Sequence, residues 1–167
     1  FWRSDHAKEG NGASCVLRIR DPDSATEWLL TGDITVREEA EYLSYLNDLS
    51  AQKTQKAHKP RHRVLLAPHH GSKTSSSNAL VQALSPDTVI YTAGYRHRYG
   101  HPHRQVTRRY QLAGSHQINT ACAGAVVMEV EPAGLVIRQM QRHAPFWISG
   151  PGLARAHCIE RLRNATQ

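Results

Sequence analysis

Hydrophobic and polar positions divide the chain into short runs of strand length, punctuated by turns, with one longer stretch at helical spacing. Residues 14–20 (SCVLRIR) alternate in part and stop at Asp21-Pro22-Asp23. Residues 26–31 (TEWLLT) follow as the hairpin partner and end at Gly32-Asp33. Over residues 36–48, Val36, Ala40, Leu43 and Leu46 recur at helical spacing, with Glu38, Glu39 and Glu41 in the first turns, where the helix dipole favours negative charge. Residues 50–62 are polar, basic and interrupted by Pro60, which predicts a loop. Residues 64–67 form an apolar strand that stops at Pro68-His69-His70-Gly71-Ser72. Ser75, Ser76 and Ser77 offer N-caps to a short helix over 78–84. A strand over 88–93, a loop to 103 and a helix over 106–112 closed by Gly114 come next. Three strands, 117–122, 125–131 and 135–140, complete the pattern, which then decays into a basic tail.

The expected order is β β α β α β α β β β, an α/β sheet with helices on at least one face. In such sheets, sites gather in the loops beyond the carboxyl ends of strands. Three chemically unusual loops all follow strands here: Gly32-Asp33, His69–Ser72 and Gly100–His103. That coincidence is the main argument from the residues for a single site.

Composition narrows the classes. The chain has 167 residues, 21 Lys+Arg against 14 Asp+Glu, a formal net charge of +7 and 40% apolar residues. One domain is the default at this length. No run approaches the roughly 20 apolar residues of a spanning helix, and no signal peptide is recognisable. The chain starts at Phe1, so a fragment of a longer protein is expected. Cys15 and Cys122 lie in apolar strand-like runs and are expected to be buried small hydrophobes.

The positive charge is uneven. Residues 51–63 hold Lys53, Lys56, Lys59, Arg61 and Arg63 with no acid, and residues 96–109 hold Arg96, Arg98, Arg104, Arg108 and Arg109 with none. These stretches read either as solvated loops or as a surface that neutralises a polyanion's phosphates. Histidine is the unusual residue, 11 in all, eight of them between His58 and His116. It supplies neutral nitrogen ligands and titrates near neutrality, so a cluster points towards metal or proton chemistry.

Each candidate has two readings. Asp33, after a strand and a glycine, is either a metal-bridging carboxylate or the N-cap of the next helix. His69 and His70 are expected on extended backbone, which sends neighbouring side chains to opposite sides, so one of them reaches a given metal, or else one is buried and hydrogen-bonded and the other exposed. Ser72 and the serines after it bind phosphate oxygens or cap the helix. His101 and His103, two apart around Pro102, share a face and can meet one cation or phosphate, or else belong to a stiff exposed loop. Arg96 and Arg98 are phosphate contacts near this site, or solvated arginines.

Taken in order, SCVLRIR, WLLTGDI, VLLAPHHGSKTSSS, YRHRYGHPHRQVTRRYQLAG and NTACAGAVVMEV closely resemble the carboxyl-terminal metallo-β-lactamase-like domain of the ComEC family, the DNA-uptake channel proteins of bacterial competence. The resemblance covers about residues 11–140. It implies an αββα sandwich, of which residues 1–142 are the carboxyl-terminal portion and 143–167 a basic tail. It further implies a site for two divalent cations, zinc or manganese, with Asp33 as the bridging carboxylate and His69 or His70 as a ligand. His101 or His103 would stabilise the phosphate or protonate the leaving oxygen. Ser72 and the basic residues Lys53, Lys56, Lys59, Arg61, Arg63, Arg96 and Arg98 would contact DNA. The fold's principal His-x-His-x-Asp-His cluster is absent, so a half-site, inactive alone, is expected. The implied partners are DNA, as single strand or duplex, and the remainder of the same membrane channel protein, with no stable oligomer. The implied setting is the bacterial inner membrane, with this segment a soluble domain on the periplasmic side. A non-catalytic DNA-binding module and another hydrolase of the fold are the alternatives.

Overall fold

The computed structural model describes residues 1–6, 9–21, 23–52, 60–94, 98–131 and 134–140. The basic tail expected over 143–167 lies outside them. The expected α/β class is what the chain adopts. Six strands form one sheet in chain order: β1 (Trp2–Arg3), β2 (Cys15–Asp21), β3 (Thr26–Leu30), β4 (His62–Leu66), β5 (Thr88–Tyr91) and β6 (His116–Asn119). The first two pairings are antiparallel, with Ile19 opposite Trp28 across the β2–β3 hairpin, and the remaining three are parallel.

The parallel strands are joined by crossover helices α1 (Val36–Gln52), α2 (Asn78–Leu84) and α3 (Arg104–Leu112). Crossovers of one hand between successive neighbouring strands put all three helices on one face. The core agrees: Leu29, Leu65, Val89 and Tyr91 from alternate strand positions pack with Tyr42, Leu80, Val81, Leu84, Val106 and Tyr110 from the helices. The intervening positions Val64, Ile90 and Ile118 face the other way and meet a hairpin of β7 (Val126–Glu131) and β8 (Gly134–Gln139). This period-2 division explains why β4 and β5 read as continuous apolar runs: both faces are covered.

Several boundaries differ from expectation. Helix α1 continues to Gln52, into residues read as a loop, with Ser50 Oγ donating to the Leu46 carbonyl at 2.8 Å. Its inward face is also rotated. Val36 and Ala40 are exposed, whereas Glu38 and Glu39 are buried. Glu38 folds back on the helix start, accepting from the Thr35 main-chain N–H at 2.9 Å and its hydroxyl at 2.6 Å. The Glu39 carboxylate accepts the main-chain N–H groups of Ser76 and Ser77, the latter at 2.8 Å. Residues 120–122 form part of a helical turn, α4 (Thr120–Ala123), and not a strand. There the Asn119 side chain accepts from the Ala121 N–H, and the Thr120 hydroxyl donates to the carbonyls of Tyr91 and Ala93. Both interactions offer the backbone an alternative to the ladder. Cys15 is exposed and Cys122 half-buried, against the expectation of burial, because Cys15 opens an edge hairpin and Cys122 sits on that turn. Among the described residues no helix is long and apolar enough to cross a membrane.

Candidate functional site

The three unusual loops do converge. Beyond the carboxyl ends of β3 and β4, the His69 N–H donates to the Gly32 carbonyl at 3.0 Å. The His103 N–H donates to the Gly71 carbonyl at 2.8 Å, drawing in the loop that follows β5. Asp33 is fixed from β2's side, its N–H donating to Ser14 Oγ at 3.1 Å. Glycine is required at two of these junctions. Gly32 (φ +56°) and Gly71 (φ +79°) are left-handed, and a Cβ at Gly71 would fall 2.7 Å from the Tyr91 ring and 2.8 Å from Pro102.

The histidine pair is not on extended backbone. His69 (φ 48°, ψ 42°) and His70 (φ 57°, ψ 19°) are consecutive left-handed residues within the turn Pro68–Gly71. Such conformations are sparsely populated for residues with a Cβ and persist only where surroundings enforce them. The consequence overturns the expectation of diverging side chains: the rings are 6.3 Å apart, and the His101 ring joins them at 6.1 Å from His69 and 6.5 Å from His70. Tyr99 stacks on His101 at 5.9 Å.

The two adjacent histidines have distinct surroundings. His70 Nε2 lies 3.3 Å from Asp33 Oδ1, and its Nδ1 meets the Thr92 hydroxyl at 3.0 Å. His69 Nε2 takes the Asn11 amide at 3.1 Å, and its Nδ1 is 3.4 Å from Thr74 Oγ1. His70 is therefore the one that faces the carboxylate, oriented from behind by Thr92. Asp33 is not a helix cap, since Thr35 and Glu38 close the start of α1.

The proline-flanked pair divides. His101 enters the cluster, while His103 Nδ1 accepts the Gln105 N–H at 3.2 Å as the N-cap of α3. Ser72 is buried and engaged with Thr74, their hydroxyls 3.1 Å apart, and Ser77 caps α2. Arg98 is exposed and holds Tyr99, its Nη2 donating to the phenol oxygen at 2.7 Å. Arg61 is exposed too, but it precedes β4 and so belongs to the opposite end of the sheet. Arg63 is on β4, not in a loop, and its Nε donates to Glu27 Oε1 at 2.5 Å. Lys53, Lys56, Lys59 and Arg96 lie outside the described residues. Among the described residues, no three His, Cys, Asp or Glu side chains are grouped closely enough to hold a metal ion.

Sequence reasoning missed the residues that orient this cluster. Thr92, just past β5, had the strand-end position as a signal. Asn11 had none, because its contact with His69 spans 58 residues. Glu39 and Arg109 were also missed. Arg109 Nη1 donates to the carbonyls of Ser75 and Ser76, so with Glu39 it grips the segment leading out of the histidine turn from both sides.

The chain is similar to segments of larger proteins. It is 31% identical over 154 residues to competence protein ComA of Neisseria gonorrhoeae, covering 90% of this chain and 20% of that protein. It is 31% identical over 116 residues to ComE operon protein 3 of Bacillus subtilis, covering 70% and 13%. It is 30% identical over 146 residues to recombination protein 2 of Haemophilus influenzae, covering 87% and 17%. The chain thus spans a fifth or less of the length of these relatives. No family model and no solved structure matches it.

Proposed function

We propose that this chain is part of a metal-dependent, nuclease-like phosphodiesterase domain of a DNA-uptake protein, and that it carries one half of the site. The convergence of Asp33, His69, His70 and His101 at one end of the sheet supports this reading above all. Similarity to a protein named for competence supports the DNA-uptake setting. The motif order TGD, PHHGS, YGHPH supports a metallo-β-lactamase-like domain of the ComEC family, with the β7–β8 hairpin belonging to its second sheet.

In donor type, the Asp33 carboxylate and His70 Nε2 suit a divalent cation, zinc or manganese. They fit as two ligands, and the described residues do not complete the set. When bound, such a cation would supply hydroxide near neutral pH and charge stabilisation at a phosphate. The residues of this chain have narrower tasks. Thr92 holds the His70 ring with Nε2 towards Asp33. Asn11 and Thr74 hold His69. His101, stacked against Tyr99, is placed to hydrogen-bond a phosphate oxygen or move a proton to a leaving oxygen. His103 acts through the backbone, fixing the loop that carries His101.

The same incomplete donor set favours a second reading, a non-catalytic DNA-binding module of the uptake channel. Calorimetric titration with zinc and with manganese separates the two. The half-site reading expects weak binding by the chain, weakened at least tenfold further in Asp33→Asn and His70→Gln, and no robust DNA cleavage. Binding unaffected by both substitutions supports the second reading. Robust metal-dependent cleavage by the 167-residue chain overturns the half-site. In either reading the partner is DNA, single-stranded or duplex, beside the rest of a bacterial inner-membrane channel protein, on its periplasmic side.

A further inference from the structure

The opposite end of the sheet holds a second concentration of charge. Glu27, near the start of β3, is buried, its side chain 1% exposed, and three arginines converge on it. Arg18 donates from Nε at 2.6 Å and Arg20 from Nη2 at 2.9 Å, both to Oε2, while Arg63 donates from Nε at 2.5 Å to Oε1. Arg63 also donates from Nη1 to the Leu84 carbonyl at the end of α2. Three guanidinium charges thus meet one buried carboxylate. Exposed Asp87 meets the Arg63 main-chain N–H and not its guanidinium.

The donors are not exhausted. A guanidinium has five N–H groups in a planar fork. Arg18 Nη1, Arg63 Nη2 and the Nε and Nη1 of Arg20 make no hydrogen bond among the described residues. Arg18, Arg63 and Glu27 line a cavity of about 210 Å³ between the sheet and the helices, beside Asn47 and Ser50 of α1. The Arg18 and Arg20 side chains remain 32% and 34% exposed, so the site is reachable from solvent. Apart from Tyr42, the rest of the lining is aliphatic, including Leu29, Leu43 and Leu46. Spare charge-assisted donors beside apolar walls are the arrangement that favours a phosphate oxygen over water.

We propose that this cavity binds a phosphate-class anion, seated on the spare donors of Arg18 and Arg63 with Arg20 at its rim. Glu27 is then the internal competitor that holds the guanidiniums in place and tempers their affinity. The inference is independent of the histidine cluster, which lies beyond the other end of the same strands. The anion is either free phosphate or the phosphate of a nucleotide.

Calorimetric titration of the whole chain at low ionic strength, with inorganic phosphate and with a 5′-deoxynucleoside monophosphate, tests it. Arg18→Gln, partly exposed, is expected to keep the fold and lose at least tenfold in affinity, whereas Arg138→Gln on β8 leaves affinity unchanged. Glu27→Gln, if folded, is expected to bind about tenfold more tightly. Tighter binding of the nucleotide assigns the site to nucleotide phosphate, and equal affinities assign it to free phosphate. Absence of binding, equal loss in Arg18→Gln and Arg138→Gln, or a folded Glu27→Gln protein that binds no more tightly overturns the proposal.

Discussion

At the scale of single residues, the molecule depends on a few side chains whose alternatives are excluded by geometry. Gly71 is the clearest. Its left-handed backbone and the contact a Cβ would make with Tyr91 and Pro102 act together. Gly71→Ala is expected to cost at least about 1–3 kcal/mol, read by urea unfolding, and to displace the His101 loop bonded to the Gly71 carbonyl. An unchanged midpoint would show that the turn relaxes freely. Glu27 makes a second case. Burial pushes its carboxyl up, but the charges and hydrogen bonds of Arg63 and Arg18 outweigh this and hold it below the usual range. A depressed carboxylate contributes stability that is present above its unfolded pKa and lost as pH falls through the folded one. The melting temperature should therefore be insensitive to Glu27 between neutrality and about pH 5, then fall more steeply than in Glu27→Gln. The variant itself should be less stable at neutral pH by about 2–3 kcal/mol, since it weakens the charge-assisted hydrogen bonds of three partly exposed arginines to one buried side chain. Parallel slopes below pH 4.5 would contradict that assignment. The same scale shows what a sequence conceals. Glu38 and Glu39 are expected only to complement the dipole at the start of a helix, yet both are buried, as is Glu27, because main-chain N–H groups and arginines satisfy them, Ser77 and Arg63 from far along the chain.

At the scale of elements, legibility followed the origin of the signal. Helix α2 matched its expected bounds because local chemistry sets them: Ser77 caps it and Ser85 ends it in the left-handed region. Strands β2 to β5 were legible from their apolar runs and flanking turns. The end of α1 was not, because residues 49–52 (Leu-Ser-Ala-Gln) carry no helix-ending signal and continue a helix whose packing lies earlier. The turn at 120–123 was not legible either, since its cause is a bond from Thr120 to β5. The start of α1 offers a test. Glu38 satisfies the Thr35 N–H and hydroxyl, and removing it leaves a half-buried donor at a helix end. Glu38→Ala should cost about 1–2 kcal/mol, while Thr35→Ala, which keeps the main-chain bond, should cost less. Equal costs would place the stabilisation in the hydroxyl alone.

At the scale of the whole molecule, the parallel sheet separates two kinds of chemistry. The carboxyl ends of β3, β4 and β5 gather Asp33, His70 and His101, while the amino ends of β3 and β4 gather Glu27 and Arg63. The convergence of three loops was legible from strand order, because sites in such sheets collect beyond the carboxyl ends. The second centre was not, because its arginines are dispersed over residues 18–63. This separation changes the test of the basic segment over residues 51–63. Arg63 is bound to Glu27, so replacing it would destabilise the sheet and confuse stability with DNA contact. The informative variant replaces Lys53, Lys56, Lys59 and Arg61 with Ser and leaves Arg63 in place. If those four cations meet DNA phosphates, affinity for a duplex should fall and the slope of log K against log salt should flatten by up to about 3–4, at roughly 0.9 per contact. The melting temperature should stay within a few degrees of the parent. A slope equal to the parent's would return the segment to the solvated-surface reading, and the net charge of +7 would then act only as long-range attraction. The Gln52 and His62 ends of this segment lie at the arginine end of the sheet, away from the histidines. DNA held there and cut at the cluster would have to span the length of the parallel strands, about 16 Å, so the slope measured on duplexes shorter than that span should lose one set of contacts.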